Sequence, residues 1–350
     1  MPKIAIIVNT LQSGGAEKQS IYLYNALQAN YETYLVVLHG IRVEDKLLGL
    51  VQENNQRILL LTGNLFSKIL MLIKFYNSQN ITHIFSFLTK PNFIGALTGR
   101  IAGVKFIYGS IRNSELPIWK SSLENFISNN LTTETIFNNY SGEQFFNNKG
   151  FSKTRFIPNC FINIGAPATR NKTQIVKIIT VGRFVEQKDY FTAIKAINEL
   201  SSSFTKFKFI IVGYGKLEQT IREEVKKHQL ENYTEILINP DNIPKLLSQA
   251  NIYLSTSLFE GTSNSIMEAM NASLPIVATN VGDNNRLVEE AANGFLHEIG
   301  DYKNMSRSLK ILAEDYELRN QFGFLSNRIL KENYSFEKFK NRYLKIIEQE

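Results

Sequence analysis

Short apolar runs alternate with longer amphipathic segments along the whole of this 350-residue chain. Residues 3–8 and 176–181 have the length and composition of buried strands, and the segments that follow them space their apolar residues as helices do. Repeated alternation of this kind is typical of parallel sheets with helices on both faces. The sequence therefore predicts an α/β fold.

Two series of this kind are predicted, one in each half of the chain. In the first half we expect strands at 3–8, 33–38, 57–61, 81–85, 105–109, 134–137 and 154–157, and helices at 15–29, 65–79, 91–102, 118–129 and 140–149. In the second half we expect strands at 176–181, 207–212, 234–238, 251–255, 275–278 and 294–297, and helices at 188–200, 215–229, 242–249, 264–272, 284–291 and 302–331. Between 158 and 171 both spacings stop while Pro, Gly and Asn accumulate, which predicts an interdomain linker.

The net charge of +7 is concentrated in the first half of the chain. Residues 1–165 carry 15 Lys and Arg against 9 Asp and Glu (+6), and residues 166–350 carry 24 against 23 (+1). Attraction to anionic lipid or to a diphosphate-bearing acceptor would explain this imbalance, and so would ordinary solubilising charge. Nucleic acid is not expected as a partner, because no aromatic and basic recognition motif accompanies the charge.

Cys160 is the only cysteine, so no internal disulfide can form, and a reducing cytoplasm is favoured. No apolar run approaches the roughly 20 residues that a membrane-spanning helix needs. We therefore expect a cytoplasmic protein, with the inner face of the membrane as an alternative location. The amphipathic stretches 65–76 and 117–128 either contact a membrane surface or pack on the core, since the two cases have the same spacing.

Two glutamates eight positions apart, Glu260 and Glu268, lie where a predicted strand gives way to a predicted helix. Backbone N–H groups of Asn264, Ser265 and Ile266 at the start of that helix can bind phosphate oxygens. The carboxylates can accept hydrogen bonds from sugar or ribose hydroxyls. The pattern favours a ligand that carries both hydroxyls and phosphates, although an isolated Glu268 would also suit a helix surface.

Two cations follow the predicted strand 176–181. Arg183 and Lys188 are expected at the carboxyl edge of the sheet, where open α/β sheets bind ligands. A guanidinium and an ammonium there can hold a nucleotide diphosphate, whereas either one alone would be an ordinary surface residue. In the first half, Gly14 and Gly15 follow the first strand and open a helix, so bare backbone can approach a phosphate or a sugar.

The order of several short motifs resembles that of the retaining, GT-B-fold glycosyltransferases of the family-4 type, which carry an E-x7-E region. The matching pieces are Glu260-Gly261, Glu268-Ala269-Met270, Pro275-Ile276-Val277-Ala278-Thr279 and Val281-Gly282, with Val181-Gly182-Arg183, Gln187-Lys188-Asp189, Gly213-Tyr214-Gly215, Ile157-Pro158-Asn159 and Asn293-Gly294-Phe295-Leu296 around them. The pieces span most of the chain, so the match is more specific than any single glycine-rich loop.

The resemblance implies two Rossmann-like domains facing each other across a cleft. Residues 1–165 would form the acceptor-side domain, 166–333 would bind the nucleotide-sugar donor, and a helix over 334–350 would cross back to the first domain. It also implies a retaining transfer from a nucleotide-diphosphate sugar, by default a UDP-sugar, to a hydroxyl of a lipid-linked or cell-surface polysaccharide precursor. The enzyme would be a hexosyl- or N-acetylhexosaminyltransferase that needs no further cofactor.

Roles are carried over from the family residue by residue. Arg183 and Lys188 would neutralise the leaving diphosphate, Glu268 would bind the ribose, and Glu260 would bind hydroxyls of the transferred sugar. No Asp-x-Asp triplet is present and the four histidines form no cluster, so no catalytic metal is expected. Two alternatives remain: a nucleotide-sugar epimerase or hydrolase of the same fold, and a non-catalytic partner in a glycosyltransferase complex.

One loop departs from the family pattern. Many relatives have a histidine after the fifth strand of the first domain, and this chain has Ser110-Ile111-Arg112-Asn113-Ser114-Glu115 there. Either Arg112 or Asn113 takes over the sugar contact, or Arg112 forms a salt bridge with Glu115. Glu115 is the candidate base on the acceptor side.

Overall fold

The computed structural model describes residues 1–12, 14–51, 57–112 and 117–349. Its contacts divide the chain into two compact units. Unit 1 comprises Met1–Cys160 and Phe336–Glu350, and unit 2 comprises Phe161–Ser335. The change from one unit to the other therefore falls five residues before the expected boundary at 165, and two residues after the expected boundary at 333.

Unit 1 contains a parallel sheet of seven strands in the order β3-β2-β1-β4-β5-β6-β7. The strands are β1 (Lys3–Val8), β2 (Glu32–Val37), β3 (Ile58–Leu60), β4 (His83–Ser86), β5 (Phe106–Ile111), β6 (Glu134–Phe137) and β7 (Thr154–Phe156). Ile6 of β1 pairs with Leu35 of β2 on one side and Phe85 of β4 on the other. Helices cover both faces, so the central strands are buried and apolar.

The helices of unit 1 connect these strands, and one of them comes from the end of the chain. They are α1 (Gly15–Gln28), α2 (Asp45–Leu48), α3 (Leu65–Gln79), α4 (Thr89–Ile101), α5 (Ile118–Phe126), α6 (Tyr140–Asn147) and α14 (Phe336–Glu348). A π-helical turn, Ile127–Leu131, continues α5. The terminal helix α14 packs against α1, and its Tyr343 contacts Phe85 of β4 at 5.6 Å between ring centroids.

Unit 2 contains a six-stranded parallel sheet in the order β10-β9-β8-β11-β12-β13. The strands are β8 (Val176–Val181), β9 (Phe207–Gly213), β10 (Thr234–Ile238), β11 (Ile252–Ser255), β12 (Ile276–Thr279) and β13 (Gly294–His297). The helices are α7 (Tyr190–Ser201), α8 (Glu218–Lys227), α9 (Ile243–Gln249), α10 (Asn264–Asn271), α11 (Asn284–Leu287), α12 (Tyr302–Glu314) and α13 (Tyr316–Tyr334). Each face of the sheet carries its own apolar core, one with α7 and α12 and the other with α10 and α13.

The α/β fold class is confirmed, and each predicted strand has a counterpart. The predicted helix 302–331 is wrong as a single element, because it is two helices that meet at Asp315. That residue is extended (φ −102°, ψ 101°), and its carboxylate accepts a hydrogen bond from the Leu318 N–H at 2.9 Å, so it caps α13. The short helix α2 was not predicted, and α11 ends at Leu287 rather than 291.

Candidate active site

An ion pair joins two loops at the carboxyl edge of the unit 2 sheet. Lys188 ends a short 3₁₀ turn, Glu186–Lys188, after β8, and its ammonium pairs with the carboxylate of Glu260 in the loop after β11. The same carboxylate oxygen accepts a hydrogen bond from the Ser257 hydroxyl at 2.8 Å. The Lys188 and Glu260 side chains are only 17% and 9% exposed, so solvent screens this pair weakly. The family resemblance implies separate roles for these two residues, with Lys188 at the diphosphate and Glu260 at the sugar. The structure shows their side chains in direct contact.

The loops after β8 and β11 are also joined through their backbones. The Thr256 hydroxyl donates to the carbonyl oxygens of Lys188 (3.0 Å) and Asp189 (2.8 Å). The Leu258 N–H donates to the Gln187 carbonyl at 2.8 Å, and the Gln187 side-chain amide donates to the Phe259 carbonyl at 2.9 Å. These bonds fix the position of Glu260 relative to Lys188 before any ligand is present.

Gly282 allows a third loop to approach Glu260 closely. Its backbone has φ +54°, and a Cβ atom there would lie 2.1 Å from the Glu260 carbonyl oxygen. Glycine is therefore required by both conformation and space. Next to it, the buried Asp283 accepts a hydrogen bond from the Thr262 hydroxyl at 3.2 Å. Nothing local in the sequence indicates that Ser257, Thr262 and Asp283 support the glutamate loop.

Arg183 is exposed at the same edge, immediately after Gly182. Its guanidinium forms no ion pair or hydrogen bond with any residue in the described ranges. The backbone beneath it is closely packed, since a Cβ at Gly213 would lie 1.9 Å from the Gly182 carbonyl oxygen, which accepts from Tyr190 at 2.8 Å. Within the described residues Arg183 is therefore a cation without a counter-ion, and the turn that carries it is well packed.

The helix α10 begins directly after the glutamate loop. Its N-cap, Ser263, makes no side-chain capping bond, and the Met267 N–H is the first to bond within the helix, to the Ser263 carbonyl at 3.1 Å. The N–H groups of Asn264, Ser265 and Ile266 precede it and have no intrahelical acceptor. This helix end can therefore accept an anion.

Both glutamates of the spaced pair act on one buried phenol. Glu268 is half-buried on α10, while Tyr253 is completely enclosed on β11. Burial raises the pKa of Tyr253, and the nearby charges of Glu268 and Glu260 raise this pKa further, while a hydrogen bond with Ser265 opposes them. Glu260 and Glu268 are therefore both near enough to Tyr253 to act electrostatically on its hydroxyl.

The predicted residues of unit 1 that the structure describes, Gly14, Gly15 and Arg112, follow the carboxyl ends of β1 and β5. Gly14 is the N-cap of α1 and Gly15 its first residue. A Cβ on Gly14 would lie 2.1 Å from a carboxylate oxygen of Glu17, whereas a Cβ on Gly15 would meet nothing within 4 Å. Glu17 in the first turn thus occupies part of the space near this helix end, because a carboxylate is itself attracted there.

Arg112 is held by residues of unit 1 and faces inward. Its guanidinium donates to the Asn159 side chain, stacks 4.6 Å from the Phe87 ring centroid and contacts Tyr343 of α14. Burial lowers the pKa of Arg112, and its Nε has no hydrogen-bond partner in the described part of the chain. Asn113 and Glu115, including the alternative salt bridge to Arg112, lie outside the described residues. The acceptor roles of all three stay predictions.

Among the described residues, no group of three His, Cys, Asp or Glu side chains is arranged to hold a metal ion. Over the same residues, no helix combines the length and hydropathy needed to cross a bilayer.

Comparisons with known proteins agree with the two-unit fold. Residues 166–324 match the family model described as glycosyl transferases group 1. Among curated proteins, the chain is 26% identical to N-acetylgalactosamine-N,N'-diacetylbacillosaminyl-diphospho-undecaprenol 4-alpha-N-acetylgalactosaminyltransferase of Campylobacter jejuni, over 92% of this chain and 93% of that protein. It is 29% identical to the putative colanic acid biosynthesis glycosyltransferase WcaL of Escherichia coli, over 47% of this chain and 41% of that protein.

Among solved structures, Anabaena Alr3699/HepE in complex with UDP is similar with a TM-score of 0.85 and 16% identity, covering 99% of this chain and 100% of that one. The pneumococcal O-GlcNAc transferase GtfA in complex with UDP and GlcNAc is similar with a TM-score of 0.73 and 13% identity, covering 99% of each chain. At these identities the structural likeness concerns the fold.

Proposed function

We propose that this chain, a GT-B glycosyltransferase with a group 1 domain over residues 166–324, transfers a sugar from a UDP-sugar to an acceptor hydroxyl with retention of the anomeric configuration. The observation that carries the proposal is the charge arrangement at one edge of the unit 2 sheet. Arg183 has no counter-ion in the described structure, the end of α10 offers unbonded N–H groups, and the Lys188–Glu260 pair lies in the adjoining loops.

Each group has a role that suits its chemistry. Arg183 and the N–H groups of Asn264, Ser265 and Ile266 bind the diphosphate, where they stabilise the charge that develops as it departs. Glu268 accepts hydrogen bonds from the ribose hydroxyls. Glu260 accepts them from the transferred sugar, while Lys188 both positions Glu260 and adds positive charge beside the leaving group.

The reaction breaks the bond between the anomeric carbon and a phosphate oxygen. The acceptor oxygen forms the new bond from the same face, and its proton passes to the departing phosphate oxygen. UDP leaves with both electrons of the broken bond. Fixed cations and the helix end stabilise that charge, so we propose that no divalent metal is required.

The proposed acceptor is a lipid-linked or polysaccharide precursor. The similar C. jejuni protein is named for transfer to a diphospho-undecaprenol-linked saccharide, and the E. coli protein for colanic acid biosynthesis. A cytoplasmic protein acting at the inner membrane face would meet such an acceptor. The exposed apolar residues Leu65, Phe66 and Leu70 on α3 support peripheral membrane contact.

A set of matched variants tests the donor site. UDP-sugars are first screened by thermal shift, because a ligand of the native state raises the unfolding temperature with occupancy. Transfer from the selected donor is then measured for Arg183→Ala and for the control Arg222→Ala, whose exposed side chain pairs with Glu218 within α8 at 2.9 Å. We expect kcat/KM to fall on the order of 10²-fold in Arg183→Ala and to stay unchanged in the control. Equal rates in both variants would remove the leaving-group assignment.

The same assay separates the remaining alternatives. Conversion of the donor sugar without an acceptor would indicate an epimerase or hydrolase. Donor binding without turnover until a second chain is added would indicate a non-catalytic partner. NMR of the product gives the anomeric configuration, and a chelator that abolishes transfer would contradict the metal-free proposal.

A further inference from the structure

Unit 1 contains a cluster of basic side chains at the carboxyl edge of its sheet. The Lys90 ammonium lies 2.7 Å from Nε2 of His39, and the Lys68 ammonium lies 3.5 Å from Nδ1 of the same ring. Arg42 is close enough to act electrostatically on His39. We call these four residues the basic cluster.

The fold brings the basic cluster together from three elements. His39 and Arg42 lie in the turn after β2, where the Arg42 N–H donates to the His39 carbonyl at 2.9 Å. Lys68 lies in the first turn of α3, and Lys90 is the second residue of α4. The carboxyl edge of a parallel sheet is where α/β proteins bind ligands.

No carboxylate compensates this charge in the described ranges. None of the four side chains forms a salt bridge with an acidic residue there, and the imidazole of His39, which can accept from only one ammonium, lies between two. Lys68 is only 6% exposed, and no acidic side chain in the described ranges pairs with its ammonium. Burial and the neighbouring cations lower the pKa of His39 and of Lys68.

Such an arrangement reduces the stability of the free protein, because like charges repel and a buried ammonium is poorly solvated. Side chains that destabilise the folded protein in this way are expected at functional sites. Phosphate is the ligand that this cluster fits, since two ammonium groups and a guanidinium lie near one imidazole and no carboxylate in the described ranges pairs with them.

We propose that the basic cluster of His39, Arg42, Lys68 and Lys90 binds a phosphate or diphosphate group of the acceptor substrate. This inference rests on the proposed function, in which Arg183 and the end of α10 in unit 2 already bind the donor diphosphate. The proposal assigns the basic cluster of unit 1 to the second phosphorylated molecule of the reaction, the acceptor.

The surroundings of Lys68 fit a phosphate that is joined to an apolar chain. Leu65 and Phe66 precede it in the first turn of α3 and are 53% and 70% exposed. Large apolar side chains at this exposure leave at least half of their surface in water and can contact an alkyl chain. An acceptor with both parts would engage the cluster and these two residues together.

The test is a pyrophosphate titration by calorimetry and by NMR of the His39 ring, with UDP present at saturation to occupy the donor site. The variants are Lys68→Met and Lys90→Gln, and the control is Lys74→Gln, an exposed residue on the same helix. We expect the Kd for pyrophosphate to rise about 10-fold or more in the two cluster variants and to stay unchanged in the control. Lys68→Met should also raise the unfolding temperature, because it replaces a buried cation with an apolar side chain of similar size.

Pyrophosphate binding to Lys68→Met as tightly as to the unchanged protein would overturn the inference. UDP binding separates this failure from that of the proposed function. If UDP binds and pyrophosphate does not, only the basic cluster loses its assignment. If UDP does not bind either, the proposed function fails as well.

A second arm identifies the source of the phosphate. A long-chain alkyl diphosphate in neutral detergent micelles is compared with pyrophosphate, and Phe66→Ser with the unchanged protein. Tighter binding of the amphiphile, lost in Phe66→Ser, would support a lipid-linked acceptor. Equal binding of both probes to the unchanged protein would overturn the lipid assignment and indicate a water-soluble phosphorylated acceptor.

Discussion

The ammonium of Lys188 and the carboxylate of Glu260 form an ion pair between side chains 72 positions apart in the sequence. The pair connects the loops after β8 and β11, which lie side by side because these two strands are neighbours in the unit 2 sheet. Ser257 completes the arrangement with a hydrogen bond to the same carboxylate. In the role proposed for Glu260, a donor sugar would therefore meet a carboxylate whose position is already fixed, which lowers the cost of ordering that carboxylate on binding.

Replacing Lys188 alone should destabilise unit 2. Lys188→Met leaves the buried Glu260 carboxylate with only the Ser257 hydroxyl, and we expect the free energy of unfolding to fall by about 1–3 kcal/mol. The double variant Lys188→Met with Glu260→Gln should recover most of this loss. A double-mutant cycle by chemical denaturation measures the coupling.

The pair Lys216–Glu186 provides the control for that cycle. It has an N–O distance of 2.9 Å but is 67% and 62% exposed, so its coupling should stay below about 1 kcal/mol. A coupling for Lys188 and Glu260 no larger than this would contradict the view that the buried pair holds the loops together.

Gly282→Ala should disturb the glutamate loop more than a substitution at another left-handed glycine. At Gly282 the new Cβ would lie 2.1 Å from the Glu260 carbonyl oxygen, whereas at Gly300 (φ +79°) it would meet nothing within 4 Å. Gly300→Ala adds only backbone strain and should lower the free energy of unfolding by about 1 kcal/mol. Gly282→Ala also displaces Glu260, so we expect it to lower the free energy of unfolding by about 3 kcal/mol and kcat/KM by at least about 10-fold. Denaturation curves and transfer rates compare the two, and equal effects would contradict the close-approach argument.

The order of strands and helices could be predicted from the sequence because doubly covered parallel strands are continuous apolar runs. Residues 176–181 and 252–255 show this directly, since the strands there are almost completely buried. The split at Asp315 could not be predicted from periodicity, because the apolar spacing of α12 continues into α13 and only a local capping bond separates them.

The candidate residues of unit 2 could be selected from motif and position, but their mutual contacts could not. The pairing of Lys188 with Glu260 depends on β8 lying next to β11, which is a property of sheet order rather than of either motif. The supporting roles of Thr256 and Ser257 depend on the same neighbourhood. The basic cluster of unit 1 was missed for the same reason, since its members come from three separate elements.

His83 should make the stability of unit 1 sensitive to pH. It is buried on β4, and burial, assisted by the charge of Lys105, lowers the pKa of His83 to about 4 from its ordinary value of 6.5. The unfolded chain therefore binds a proton that the folded chain does not, so stability is fully present above pH 6.5 and is lost as the pH falls from 6.5 to 4. We expect the free energy of unfolding to fall by on the order of 2 kcal/mol over this pH range, and His83→Gln should abolish this fall. Denaturation at several pH values checks this, and parallel curves for both proteins would exclude His83 as the source.

Arg170 should be a major stabilising residue of unit 2, although no sequence motif contains it. Its guanidinium donates to the carbonyl oxygens of Ala250 (2.6 Å), Ser273 (2.6 Å) and Ala272. Burial lowers the pKa of Arg170 to about 10, so the group stays charged at neutral pH. It therefore ties the segment before β8 to the C-terminal ends of α9 and α10.

Arg170→Met should leave these carbonyl groups without donors and lower the free energy of unfolding by about 3 kcal/mol, since each lost bond contributes roughly 1 kcal/mol. Arg170→Lys should recover only part of this loss, because an ammonium lacks the planar fork that reaches several carbonyl groups at once. The control is Arg328→Met, which removes an exposed pair with Glu332 within α13 at 2.7 Å and should change stability by less than about 0.5 kcal/mol. Chemical denaturation measures all three variants, and similar values for Arg170→Met and Arg328→Met would show that the carbonyl contacts do not stabilise the unit.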